Sequence, residues 1–335
     1  MNAVAEAAGR PPGGGSRPGT IRALWRSGWT FGLVGLLLLL FVVTRAIKPT
    51  YGASELESLA IGALPIAFAA VGQAVVVISG GIDLSIGSVM ALTNVTAASL
   101  MTGQSEEFAA LVVVFVLVLG LLIGAVNGLL VVLTRVPDII VTLALSFVWA
   151  GVALLVLKSP GGSTAKWLKG LIDDTFFTVW LPEALVLLVV AVGVIWLPLR
   201  RSRLGLSMYA VGSDRLAAFR SGVAVGRTKI AAYAVTGLFS AMGGLSLSMS
   251  TGIGTPVPGP YTLLSVAAIV LGGVSLAGGR GGLLGPILAV FILALIRADL
   301  TFLNVDPNFS TVVQGVILIA VVMVGAFATL RRKTA

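Results

Sequence analysis

The chain has 335 residues, of which 57% are hydrophobic and 10% charged, with a mean hydropathy of +1.07 and a formal charge of +9. A soluble domain carries about 25% charged residues, so this is the composition of a polytopic membrane protein. With no cysteine and no histidine, disulfides, thiolate metal sites, the usual general base and the commonest metal ligand are all missing. That argues against a membrane hydrolase or redox enzyme, and no cofactor or metal is expected.

Residues 1–27 open with a Gly-, Pro- and Ala-rich stretch, including Pro11-Pro12-Gly13-Gly14-Gly15, and read as a disordered tail. The apolar run at 28–44 leads into Thr44-Arg45-Ala46-Ile47-Lys48-Pro49, a poor cleavage site, so it reads as an uncleaved first span. Further uncharged runs at 58–82, 84–105, 108–134, 139–157 and 184–199 each approach membrane length. Residues 230–279 carry no charge at all, but the run is broken by Gly252-Ile253-Gly254-Thr255-Pro256-Val257-Pro258-Gly259-Pro260, which no helix continues through. That predicts spans at 230–250 and 261–277, followed by 282–297 and 308–330. The fold class is therefore all-α, with about ten transmembrane helices in a domain over 28–330 and a short tail at 331–335.

Lys and Arg concentrate in the N-terminal tail, in the stretch from Arg200 to Lys229 and in Arg331-Arg332-Lys333, which predicts both termini on the cytoplasmic side. The positive charge is then explained by topology and lipid head groups, and nucleic acid need not be invoked.

Within this apolar chain, Asp83 is the one charged residue between Ser58 and Ser105. An intramembrane carboxylate is costly and marks a node of function or structure. Ser85, Ser88 and Asn94 follow it, and Gln73 and Asn127 lie in neighbouring spans. These uncharged groups suit a polyol better than an ion, so Gln73, Asp83, Ser85, Ser88, Asn94 and Asn127 are the candidate substrate pathway. Two readings of Asp83 stand open: sugar contact, or capping of the next helix through the amides of Ile86 or Gly87. Asn127 has two as well, holding another helix or contacting a hydroxyl. Gly120, Gly124 and Gly128 form a close-packing face, within the subunit or at a dimer interface. Trp149, Trp167, Trp180 and Trp196 read as interface anchors, and Arg297 and Asp299 as facing water.

The cytoplasmic loop at about 200–229 has helix signals in its middle. Ser213 or Asp214 suits the start of a short helix, Gly222 its end, and Ala217, Ala218 and Ser221 give it a small-residue face for docking. A bare topology signal, the alternative reading, needs neither caps nor thirty residues.

Three motifs then stand in order: Ser79–Ala98, with Gly81-Ile82-Asp83-Leu84-Ser85-Ile86-Gly87-Ser88 and Ala91-Leu92-Thr93-Asn94; Arg203-Leu204-Gly205, then Ala210-Val211-Gly212-Ser213-Asp214 with Ala217-Ala218 and Ser221-Gly222-Val223; and Ala267-Ala268-Ile269-Val270-Leu271-Gly272-Gly273-Val274-Ser275-Leu276-Ala277-Gly278-Gly279. From about residue 30 onward the chain resembles the ribose-type permeases of bacterial ABC importers. The resemblance implies a cytoplasmic ABC ATPase, an extracytoplasmic sugar-binding protein and a second permease subunit as partners. It also implies an ATPase-coupling role for Gly212, Ser213, Asp214, Ala217, Ala218, Arg220 and Gly222. The chain departs from that pattern at Phe219-Arg220-Ser221-Gly222, where Arg-Leu-Ser-Gly is common, and at Gly259-Pro260-Tyr261-Thr262-Leu263-Leu264, which lacks an acid. No P-loop motif occurs, so ATP hydrolysis is assigned to a partner and no catalytic residue is expected here. The resulting expectation is a subunit that imports a pentose or hexose across the inner membrane by alternating access. Nucleosides or branched-chain amino acids, or a secondary carrier, are the alternatives. A short echo between Gly80–Ser85 and Gly272–Ala277 raises the further question of an internal repeat.

Overall fold

The computed structural model describes residues 19–173 and 178–306, together with positions 309, 312, 313, 315, 316, 319 and 323. Twelve helices follow in order among these residues: α1 (Gly19–Ile47), α2 (Ala53–Ile78), α3 (Ile86–Met101), α4 (Glu106–Thr134), α5 (Asp138–Val156), α6 (Lys166–Asp173), α7 (Glu183–Arg201), α8 (Arg203–Ser213), α9 (Arg215–Arg220), α10 (Val225–Thr251), α11 (Tyr261–Leu271) and α12 (Leu284–Phe302). Helix α1 begins at Gly19, directly after Pro18, so residues 19–27 are helical rather than part of a disordered tail. Once the apolar run nucleates a helix, nothing between Gly19 and Gly28 stops its propagation.

Seven of these helices are long and apolar enough to cross a membrane: α1 from Gly28, α2, α4, α5, α7, α10 and α12. The expectation of ten is corrected for two segments, and the expected span at 308–330 lies outside the continuously described residues. Helix α3 has 16 residues and α11 has 11, lengths of about 24 and 16 Å at 1.5 Å per residue. Neither matches a hydrocarbon core of about 30 Å.

Helix α2 is the centre of the bundle. Its residues from Ala63 to Ile78 are buried almost without interruption, as a helix apolar on every face must be. Helix α10 packs beside it, where the Thr236 hydroxyl donates to the Gly72 carbonyl at 2.9 Å. On its other side α10 meets α4. A β-carbon on Gly124 would stand 2.2 Å from the Tyr233 carbonyl oxygen, and one on Gly120 would stand 2.6 Å from that of Gly237. The Gly120-Gly124-Gly128 face is thus a packing seam inside the subunit, which brings two backbones close enough for dispersion to act without intervening side chains.

The segment between α10 and α11 folds back into the bundle alongside α3. Gly254 exchanges backbone bonds of 3.0 and 2.7 Å with Gly161 and sits against Val95 and Ala98 near the far end of α3. Thr262 reaches Gly87 at the near end, where its hydroxyl accepts the Gly87 amide at 2.9 Å. Residues 87 to 98 of a helix cover about 16 Å, so the chain from Gly254 to Thr262, in the first turn of α11, travels about that far inward. Irregular backbone at such depth requires protein partners or a polar cavity, and both are present.

Candidate functional site

The first buried polar group forms around Asp83, which is 2% exposed. Its Oδ1 accepts the Ser85 amide at 2.8 Å and the Ser85 hydroxyl at 2.6 Å. The Asn127 amide donates to Ser85 Oγ at 2.8 Å, and Trp149 Nε1 donates to Asn127 Oδ1 at 3.0 Å. Asp83, Ser85 and Asn127 are therefore one hydrogen-bonded chain between the α2–α3 break, α4 and α5. The capping expectation is corrected: Asp83 closes a turn just before α3, while the Gly87 amide is taken by Thr262. Trp149 is also corrected, from interface anchor to donor into this chain, and Trp196 is buried in the core. Ser88 is buried one turn along α3 from Ser85.

Asn94 belongs to a second group. Its amide nitrogen donates to Ser248 Oγ at 2.8 Å, and its oxygen accepts the Thr255 amide at 2.6 Å. It thereby joins α3, α10 and the inward-folded segment. A cavity of about 160 Å³ opens here, lined in part by Gly87, Asn94, Thr251, Thr255, Gly259 and Tyr261. Ligand pockets run to about 300–1,000 Å³, so this one is constricted. Gln73 is fully buried in α2, and neither its Nε2 nor its Oε1 has a hydrogen-bond partner among the described residues. Asp299 is 7% exposed, which corrects its expected exposure to water.

At the other end of α10 the basic loop forms α8 and α9. Asp214 caps α9 as anticipated, accepting the amides of Leu216 and Ala217 at 2.9 Å each. Gly222, with φ of +80°, follows its end. Of the small residues, Ala218 turns inward and packs with Val211 and Val225, while Ala217 and Ser221 stay exposed. Leu216 and Phe219 point outward at 57% and 68% exposure, next to Arg215 and Arg220. The exposed surface of α9 therefore combines the small residues Ala217 and Ser221 with large apolar and basic ones. The two large apolar residues were legible in the sequence as the face opposite Ala218. On the Leu216 and Phe219 side of α9 opens a cavity of about 840 Å³, lined by residues that also include Arg135, Asp138, Arg215, Arg227 and Lys229.

The three sequence motifs converge at this end. A β-carbon on Gly212 would lie 1.9 Å from the Ile78 carbonyl oxygen and 2.6 Å from the Gly279 nitrogen, and one on Gly278 would lie 3.0 Å from Gly80 Cα. The Gly80–Ser85 and Gly272–Ala277 echo is a shared helix stop. Gly80 and Gly81 donate to Val77 and Val76, and Gly273 and Val274 donate to Val270 and Ile269, which is the Schellman pattern. Helix α9 ends with the same pair of bonds, at Gly222 and Val223, so the likeness reflects a general way of ending helices and does not establish a repeat.

The family described as "Branched-chain amino acid transport system / permease component" matches residues 56–322. The chain belongs to this family of transport-system permeases. The permease is 31% identical over 301 residues to the ribose import permease protein RbsC of Escherichia coli (strain K12), covering 87% of this chain and 92% of that one. It is 30% identical over 322 residues to the autoinducer 2 import system permease protein LsrD of the same strain, covering 92% and 94%. No solved structure matches the permease. It is a transport component rather than an enzyme, and a multi-pass protein of the inner membrane.

Proposed function

We propose that the permease is the membrane-spanning subunit of an ABC importer for a monosaccharide, a pentose or hexose, moved by alternating access. The observation that carries the cargo class is the cavity between α3 and the inward-folded segment. Among the described residues its lining offers uncharged donors and acceptors from Asn94, Thr251, Thr255 and Tyr261 and contains no Asp, Glu, Lys or Arg. A sugar hydroxyl both donates and accepts, and such a lining serves it without a counter-ion. The similarity to a ribose import permease points the same way. The family's description names a branched-chain amino acid, but that cargo carries two opposite charges and the lining has no charged side chain to meet either.

In this reading both termini are cytoplasmic, because Arg135, Arg215 and Arg227 cluster at one end of the bundle. The outward face of α9, with Arg215, Leu216, Phe219 and Arg220, is where a partner ABC ATPase docks. Asp214 and Gly222 fix the ends of that helix, and Gly212 and Ser213 lead into it. An extracytoplasmic sugar-binding protein supplies cargo, a second permease subunit completes the pathway, and anionic lipid meets the basic rim. ATPase closure moves α9, and the constricted cavity opens toward the cytoplasm. Gln73, Asp83, Ser85, Ser88, Asn94 and Asn127 remain the proposed pathway residues. Only Asn94 lines the present cavity, so the others act as its supporting shell or as contacts of another state.

The test is uptake of radiolabelled D-ribose, D-xylose and D-glucose by cells carrying the permease with its ATPase and binding protein, alongside equilibrium binding of each sugar to the binding protein. One sugar should be both bound and accumulated, and accumulation should stop when the ATPase is deleted. Accumulation of leucine and of none of the three sugars would overturn the cargo assignment.

A further inference from the structure

Beneath the α2–α3 break lies a charged cluster that the transport pathway leaves without a role. Lys229, one turn into α10, donates from Nζ to both oxygens of Asp138, at 3.0 and 2.8 Å. Asp138 opens α5, and the two side chains are only 8% and 17% exposed. The Tyr233 hydroxyl, a turn further along α10, lies 3.0 Å from Asp138 Oδ2 and 3.2 Å from the Ile82 carbonyl, and its single proton serves one or the other. Thr142 Oγ1, a turn into α5, accepts the Leu84 amide at 3.1 Å and lies 3.3 Å from the same Ile82 carbonyl. The backbone on both sides of Asp83 is thus gripped by α5 and α10. The grip is close because residue 81 is glycine: a β-carbon there would stand 2.7 Å from Asp138 Oδ2 and 2.9 Å from the Tyr233 oxygen.

The cluster is tied to α9 as well. Val225, in the first turn of α10, packs against Ala218 of α9 and Val211 of α8, so a displacement of α9 moves the turn that carries Lys229. An enclosed ion pair is a poor stability device, because desolvation offsets most of its attraction. A charge needed only to set topology requires no partner.

We propose that the Lys229–Asp138 ion pair, with Tyr233, is the link through which movement of α9 reaches the α2–α3 break, and hence Asp83, Ser85 and Asn127. Lys229 and Asp138 are positioning residues, acting through the backbone at Ile82 and touching no cargo. The assignment rests on reading α9 as the ATPase-facing segment. In that case a permease without the pair still binds its ATPase, but its interior no longer responds to nucleotide.

The chain contains no cysteine, so Leu84→Cys gives a single reporter in the break. Its labelling by a water-soluble maleimide is measured in the purified permease–ATPase complex, without nucleotide and with ATP plus vanadate. In the otherwise unsubstituted chain the rate should differ between the two conditions by roughly tenfold, a typical strength for coupling between sites. Lys229→Met should abolish that difference while the ATPase still co-purifies and hydrolyses ATP. Lys229→Met leaves a carboxylate without its partner and can impair folding, so the doubly neutral Asp138→Asn/Lys229→Met chain is the decisive variant. It is expected to fold, to bind the ATPase and to show no nucleotide-dependent change. An undiminished tenfold change in that double variant overturns the link alone. Failure of the unsubstituted chain to bind the ATPase overturns the α9 reading, and the link with it.

Discussion

The amide of Gly279 donates to the carbonyl of Ile78 at 2.9 Å, joining the turn between α11 and α12 to the end of α2. Gly212 fills the remaining space between them and brings the entry to α9 into the same junction. Backbone meets backbone here, so no side chain can swing aside to admit a larger residue. Gly212→Val should cost about 1–3 kcal/mol by overpacking. The check is thermal melting of the purified protein in detergent, where an unchanged Tm would show that the junction is looser than described.

Asp214 holds two amides at the start of α9. Asp214→Ala removes that cap at a cost of about 1 kcal/mol, concentrated in a six-residue helix and hence felt as local fraying. Membrane insertion and overall Tm should hardly change, while co-purification of the ATPase falls. Asp214→Asn should restore most of it, since asparagine caps equally well. Equal ATPase retention in all three chains would count against α9 as the docking element.

From α3, Asn94 satisfies groups on α10 and on the inward-folded segment at once. Asn94→Leu strands the Thr255 amide in a half-buried setting, at about 1–3 kcal/mol for an unpaired group, while the Ser248 hydroxyl loses a donor but keeps the Gly244 carbonyl as acceptor. The inward-folded segment should loosen before the bundle does. Amide hydrogen exchange over residues 252–260 is the direct readout, and faster exchange there with unchanged exchange in α2 is expected.

Gln73 behaves in the opposite sense. Both of its polar atoms are buried without a partner among the described residues, so Gln73→Leu removes a desolvation cost and should raise stability, by about 1–3 kcal/mol on protein mutational scales. If Gln73 meets cargo in another state of the cycle, the same variant should transport more slowly although it melts at a higher temperature. Measuring uptake and Tm together separates a pathway role from a packing role.

Much of the molecule was legible because it depends on local chemistry. Hydropathy marked the long spans, and Ser213-Asp214 and Gly222 marked α9, since caps and helix stops are settled within one turn. The prolines at 256, 258 and 260 marked a break, but not that the chain beyond Gly252 folds inward along α3. That path is fixed by Thr255 with Asn94 and Thr262 with Gly87, contacts between residues more than 150 positions apart. The same long-range bond explains the misread cap at Asp83, because Thr262 takes the amide that spacing alone offered to the carboxylate. Asp138 and Lys229 looked like two separate loop charges. Nothing in a one-dimensional pattern pairs residues that only the packing of α5 against the start of α10 brings together. The shortness of α3 was hidden for a related reason: its uncharged run reaches Ser105, but the four residues after Met101 form a turn, not helix.

The most direct test of the account is transport in proteoliposomes containing the permease, its ABC ATPase inside and its sugar-bound binding protein outside. Sugar should accumulate only when ATP and the binding protein are both present, and an imposed proton or sodium gradient should have no effect. Accumulation by the permease alone, driven by an ion gradient without ATP, would contradict the account.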